Sequence, residues 1–125
     1  MAKVTGIGGV FFKAADPDKL KAWYVEYLGV ALAEWGCAIF RWDEDQSTQP
    51  EGVTVWQIAD RQGDWFEPSK SQVMINYRVD DLDGVLDRLA AGGVTPVKGP
   101  DVEDNGRFAW VMDPEGNKVE LWEPR

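Results

Sequence analysis

Asp81-Leu82-Asp83-Gly84-Val85-Leu86-Asp87-Arg88-Leu89-Ala90-Ala91-Gly92 repeats the grammar of Asp16-Pro17-Asp18-Lys19-Leu20-Lys21-Ala22-Trp23-Tyr24-Val25-Glu26-Tyr27-Leu28-Gly29. Each stretch opens on an aspartate, whose carboxylate can accept from the free N–H groups of a first helical turn. In the earlier stretch Pro17 supplies a ring already set for the first helical position. Apolar residues follow at matching intervals: Leu20, Trp23, Tyr24, Tyr27 and Leu28, then Leu82, Val85, Leu86, Leu89 and Ala90. That spacing puts each set on one face of a helix. Gly29 closes the first helix and Gly92-Gly93 the second, where a left-handed cap is needed. The two caps lie 65 positions apart.

The same offset superposes two apolar strands, residues 7–15 before the first helix and Val73 to Val79 before the second. After the first helix come a weak strand candidate, Val30 to Glu34, and two stronger ones, Cys37 to Trp42 and Val53 to Ile58, joined by the polar run 43–52. After the second come Val94 to Val97, Arg107 to Met112 and Lys118 to Glu123. Asn105-Gly106 is a hairpin turn pair. Asp113-Pro114-Glu115-Gly116-Asn117 is a tight turn with proline at its first corner. The pattern is an internal βαβββ repeat. It predicts an α+β fold of two tandem βαβββ modules, about 3–60 and 72–124, joined by a linker of about 61–71. Each half is too small to bury both faces alone, so together they should form one domain over 1–125, a curved mixed sheet around a cleft with the helices outside. Trp65-Phe66 is an aromatic island in the polar linker and should dock, on its own domain by preference, otherwise as a lid or dimer contact.

Bulk properties narrow the partners. The formal charge is −9, which repels nucleic acid and anionic membrane surfaces and attracts a cationic small molecule, or simply keeps the chain in solution. No stretch is long and apolar enough to span a bilayer or to read as a signal sequence. Cys37 is the only cysteine, which excludes an internal disulfide and fits a cytoplasmic setting. In an apolar strand it reads as a packed thiol rather than a nucleophile. With no histidine in the chain, the commonest metal ligand and general base is absent. Gly8-Gly9 lacks the lysine and hydroxyl of a phosphate loop. Seven tryptophans are an unusual load, about half expected in the core and the rest in a cavity or subunit contact.

Four pieces in order carry a resemblance: the opening strand ending at Asp16-Pro17, the helix end Trp23-Tyr24…Tyr27-Leu28-Gly29, the segment Tyr77-Arg78-Val79-Asp80-Asp81-Leu82, and the tail Asp113-Pro114-Glu115-Gly116-Asn117-Lys118-Val119-Glu120-Leu121. Together they span nearly the whole chain. The chain resembles the vicinal oxygen chelate superfamily, which includes glyoxalase I, extradiol dioxygenases and bleomycin-resistance proteins. The resemblance implies a divalent metal in the cleft, held by one side chain from the first and last strand of each module. Carried onto this sequence, those positions are Gly9, Trp56, Met74 and Glu120, with Gln57 replacing Trp56 if the register slips by one. A single carboxylate with glycine, tryptophan and a thioether does not hold a hard divalent ion. Carried onto these residues, the resemblance therefore predicts a member that departs from the pattern and works without metal or other cofactor. It also implies a homodimer, which would cover the sheet edges and tryptophans left by each half.

Period-two alternation then assigns faces. Ile7, Phe11 and Lys13 join Gly9 in the cleft, Asn76 and Arg78 join Met74, Thr54 and Ile58 join Trp56, and Trp122 joins Glu120. Val10, Phe12, Ile75, Tyr77 and Val79 should pack under the helices. The candidate ligand-binding set is Phe11, Trp56, Met74, Asn76, Arg78 and Trp122. Glu120 is the candidate catalytic or cation-binding group, with burial expected to raise its pKa; alternatively it is a structural remnant paired with Arg78. Asp101, Glu103 and Asp104 read as a solvated acidic loop. Two functional readings follow: a glyoxalase/bleomycin-resistance-like protein holding a small, partly aromatic molecule, or a small-molecule isomerase, lyase or dioxygenase-type enzyme using Glu120. A dimer with a vestigial cleft is the third possibility.

Overall fold

The computed structural model describes residues 7, 9–34, 36–45, 47–50 and 52–125. The expected module start at residue 3, Gly8 and Trp35 lie outside the described residues. Six elements follow one another: α1 (Pro17–Leu28), β1 (Ile75–Arg78), α2 (Leu82–Ala91), β2 (Lys98–Glu103), β3 (Gly106–Met112) and β4 (Lys118–Pro124).

Both helices begin as their aspartates dictate. The Asp16 carboxylate accepts from the Lys19 N–H at 3.2 Å, and Asp81 accepts from Gly84 at 3.0 Å. Gly29 takes a left-handed φ of 69° and closes α1. At the end of α2 it is Gly93, with φ 84°, that turns left-handed. The apolar faces point as the spacing requires: Leu20, Trp23 and Tyr24 on α1, and Leu82, Val85 and Leu89 on α2, are buried.

The sheet has the order β1-β4-β3-β2, with β1 parallel to β4 and the other pairs antiparallel. Ala109, Val111, Val119 and Leu121 project from β3 and β4 toward the helices and form the core with the buried helix residues. Tyr77 and Val79 pack against it, as their face assignment requires. Phe12 and Tyr77 both meet the Tyr24 ring, at 6.3 and 5.6 Å between centroids. Val10 remains exposed.

The turn between β3 and β4 anchors α1. The buried Asp113 carboxylate accepts from the Glu115 and Asn117 N–H groups, from Asn117 Nδ2 and from Tyr24 Oη at 2.8 Å. Glu115 accepts from the Ala15 N–H at 2.9 Å and from Asp16 at 3.4 Å. The last tight turn thus grips the start of the first helix.

Residues 75–124 carry one complete βαβββ unit. The first half departs from expectation. Among the described residues, 7–15, 30–34, 37–42 and 53–58 form no strand, and the Leu32–Ala38 bridge is the only pairing there. Val94 to Val97 likewise precedes β2 instead of forming a strand. The physical reason is that a strand exists through hydrogen bonds to a neighbour, and alternation of side chains does not supply one. Val53, Val55, Trp56 and Ile58 stand exposed on that unpaired chain. Cys37, expected to be packed, is exposed for the same reason. Of the tryptophans, Trp23, Trp110 and Trp122 are buried, while Trp42, Trp56 and Trp65 are exposed.

Candidate functional site

The face of the sheet away from the helices carries the site. Residues paired across a ladder point to the same side. The register sets Trp110 opposite Glu120 and Phe108 opposite Trp122 between β3 and β4, and Asn76 opposite Glu120 and Arg78 opposite Trp122 between β1 and β4. Three aromatic rings therefore line up. Phe108 lies 6.1 Å from Trp110 at an interplanar angle of 17°, and 5.9 Å from Trp122 at 2°.

Hydrogen bonds fix these ring planes. Trp110 Nε1 donates to Glu120 Oε2 at 3.0 Å, and Trp122 Nε1 donates to the Asn105 carbonyl at 3.0 Å. Asn76 Nδ2 donates to Glu120 Oε1 at 2.9 Å. Glu120 is only 7% exposed, and each of its oxygens is engaged by a neutral donor. A carboxylate has about four acceptor positions, so two bonds leave it capacity for a ligand.

An open hollow of about 500 Å³ lies over this face, lined by Trp65, Lys98, Asp101, Glu103, Asp104, Asn105, Phe108, Trp110 and Glu120. The Trp65-Phe66 island docks on its own chain here. Its two rings sit 5.5 Å apart, and the Trp65 carbonyl accepts from Lys118 Nζ at 2.7 Å. Burial pulls the Lys118 ammonium below the ordinary lysine range; Lys98 adds to this, while Asp64, Glu120 and Glu67 oppose it. Behind the sheet, burial first, then Tyr77 and Asp113, push the Tyr24 hydroxyl far above the ordinary tyrosine range. Burial raises Tyr77 as well.

The structure brings Asn76, Glu120 and Trp122 together as expected, and leaves other expected members elsewhere. Phe11 is 95% exposed and Trp56 73% exposed, each on chain that pairs with nothing among the described residues. Met74 is half-buried just before β1. Arg78 shares the face but turns to the first half of the chain, donating from Nε to Gln49 Oε1 at 2.8 Å and from Nη1 to the Val53 carbonyl at 2.7 Å. Glu120 takes its hydrogen bonds from Asn76 and Trp110 rather than from Arg78. Asp101, Glu103 and Asp104 edge the hollow; Glu103 and Asp104 are exposed, as a solvated acidic segment requires, while Asp101 and Glu103 belong to β2 rather than to a loop.

Sequence reasoning missed Phe108, Trp110 and Lys98. The signal for the first two was present: Phe108 and Trp110 alternate along a strand that pairs with the strand of Glu120 and Trp122. Among the described residues no three acidic or cysteine side chains gather into a metal-holding group. Glu120 accepts from Asn76 and Trp110, and the other positions the resemblance implies, Gly9, Trp56 and Met74, carry no hard oxygen or nitrogen ligand. These residues do not fit a divalent ion.

A family model described as a glyoxalase-like domain matches residues 9–122. Among curated proteins the chain is similar to CFP32 of Mycobacterium bovis, named provisionally as a glyoxylase, at 29% identity over 105 residues. The match covers 74% of this chain and 40% of CFP32, so the chain spans less than half the length of that relative. Among solved structures it is similar to TnmS3, an antibiotic binding protein from Streptomyces sp. CB03234, with a TM-score of 0.54 and 25% identity, covering 90% of this chain and 89% of that one. An integron cassette protein of V. cholerae superposes with a TM-score of 0.59 over 97% of this chain and 96% of its own, at 17% identity, a likeness of fold alone.

Proposed function

The chain belongs to the glyoxalase-like family of the vicinal oxygen chelate superfamily, and on that premise we propose that it holds a flat, partly apolar small molecule without a metal. The observation that carries this reading is the row of Trp110, Phe108 and Trp122, with the Glu120 carboxylate beside it and an open hollow over Phe108 and Trp110. Stacking on aromatic faces holds planar ligands, and a few placed polar groups orient them. The name of TnmS3, an antibiotic binding protein, supports ligand holding over turnover. In this reading Glu120 and Asn76 orient the ligand, and Arg78 shapes the neighbouring wall. No nucleic acid or membrane takes part; among the described residues no helix is long and apolar enough to cross a bilayer. The working place is the cytoplasm, as one cysteine and no disulfide suggest.

The working form in this proposal is a homodimer of single-domain chains, each spanning 1–125. In it the first half, about 3–60, completes its own βαβββ module ahead of the linker at 61–71. The module over 72–124 then closes the cleft, bringing Phe11, Trp56 and Met74 to the ligand. The exposed run of Val53, Val55, Trp56 and Ile58 supports this, because contiguous apolar surface of that kind marks a contact. Light scattering at micromolar concentration is expected to give about twice the 14.0 kDa chain mass; the single-chain mass would refute the dimer.

The test of binding is a titration followed by tryptophan fluorescence, using planar aromatic compounds of either charge with wild type, Glu120→Gln and Arg78→Met. Quenching by planar compounds that weakens in Glu120→Gln is expected. Binding of anions alone, abolished only by Arg78→Met, would transfer the polar role to Arg78. A second reading, a metal-free isomerase or lyase with Glu120 as proton acceptor, is favoured by the burial of that carboxylate. Turnover insensitive to chelators and lost in Glu120→Gln would establish it.

A further inference from the structure

Lys98 holds a position that the ring-binding reading leaves unexplained. In a regular strand, residues three apart point to opposite faces. Here Lys98 pairs with Trp110 and Asp101 pairs with Phe108, so three steps on β2 match two on β3. The extra residue is a bulge, which puts Lys98 and Asp101 on the same face. Gly99 makes it possible: its φ is 82°, and a Cβ there would sit 2.7 Å from the Phe108 carbonyl. The outcome is that Lys98 Nζ stands 4.7 Å from the centre of the Trp110 ring and 3.9 Å from Asp101 Oδ2.

An ammonium over an indole face, beside a carboxylate, is the geometry in which a ligand cation is held. The Lys98 side chain is nevertheless 61% exposed and free to swing away on its four-carbon stem. Asp101, Glu103 and Asp104 on the rim, with Glu120 below, make the hollow a place for positive charge. Lys118, two residues before Glu120 on β4, already donates to the Trp65 carbonyl.

We propose that Lys98 is an internal occupant of the cation position over Trp110, and that the ligand is a planar aromatic cation whose charged group displaces it and takes over Asp101. This rests on the ring-binding reading and names the ligand class for it. Lys98 is then a specificity-determining residue: a ligand must outcompete a tethered ammonium before its ring can settle on Trp110.

The test uses two planar probes, the cation proflavine and the anion anthraquinone-2-sulfonate, against wild type, Lys98→Ala and Lys98→Arg. Binding is followed by tryptophan fluorescence and calorimetry. Lys98→Ala is expected to tighten proflavine by about threefold to tenfold, the scale of one good cation–ring contact. Lys98→Arg keeps the charge and should bind proflavine as wild type does. In Trp110→Leu the gain from Lys98→Ala should vanish, which separates ring competition from plain charge repulsion. If proflavine binds but Lys98→Ala leaves it unchanged or weaker, this inference fails while ring binding stands. If the sulfonate binds and is weakened by Lys98→Ala, Lys98 is an anion-binding group and the inference is overturned. If neither probe binds any variant, the ring-binding reading fails and takes this inference with it.

Discussion

The two halves of the chain carry the same pattern and reach different degrees of order. Residues 75–124 convert theirs into a four-stranded sheet with a helix on its back. Residues 9–60 keep the helix and little else. A helix satisfies its backbone within its own turns, so local caps and an apolar face decide it. A strand must find its partner elsewhere. In the later half β4 lies between β1 and β3, and ladders on both its edges lock the register. In the earlier half the equally apolar run 53–58 has no such neighbour among the described residues.

Substitutions can break or sharpen this contrast. The largest effect is expected at Leu121, fully buried in the centre of β4. Leu121→Ala should lower unfolding free energy by about 2–5 kcal/mol in a denaturant titration. A cost below about 1 kcal/mol would mean that the later half is not the core.

Next comes Tyr24, through which α1 holds Asp113. Tyr24→Phe should cost about 1.5–3 kcal/mol, the range for hydrogen bonds to charged groups. It has a pH signature. Burial keeps the Tyr24 and Tyr77 hydroxyls neutral in the fold, while in the unfolded chain they ionise near pH 10. Their stabilising effect is therefore whole below about pH 10 and is lost as pH rises beyond it. Tyr24→Phe should flatten that alkaline decline; an unchanged slope would place its source elsewhere.

The helix caps should behave alike in both halves. Asp16→Ala and Asp81→Ala are each expected to cost about 1 kcal/mol. A loss confined to Asp81→Ala would show that α1 contributes nothing to the cooperative unit.

The smallest effect on a single chain is expected at Trp56. In dilute protein Trp56→Ser should change stability by less than about 0.5 kcal/mol, as at an exposed position. This is also where the proposed dimer speaks. A penalty that grows with protein concentration, with scattering shifting toward 14.0 kDa in the variant, would show that a second copy covers this segment.

How much was legible follows from the same physics. Both helices, their caps, the 113–117 turn and the inward face of Tyr77 and Val79 are local or period-two signals, and they could be read. So could the meeting of Asn76, Glu120 and Trp122, because adjacent strands carry them in register. The aromatic row was half legible: Trp122 was seen, while Phe108 and Trp110 needed the pairing of β3 with β4. Lys98 was not legible, because an extra residue in one strand reverses the face of everything before it, and β2 contains one. Phe11 and Trp56 were placed by a repeat whose first copy forms no strand among the described residues.

The grip of the 113–117 turn on the start of α1 has a bearing on the order of events at the ribosome. The Glu115 carboxylate reaches back 100 residues to the Ala15 N–H, and Tyr24 waits for an aspartate 89 positions later. Synthesis delivers α1 well before its anchor. Throughout that interval the helix can coil and uncoil on its own, since twelve residues are too few to persist alone in water. Its docking face of Leu20, Trp23 and Tyr24 stays open to chaperones until the β3–β4 hairpin emerges. Contacts spanning so much chain also make the closing step slow relative to helix formation. A nascent chain stalled before residue 113 should bind a holdase chaperone, and one released past residue 124 should let it go.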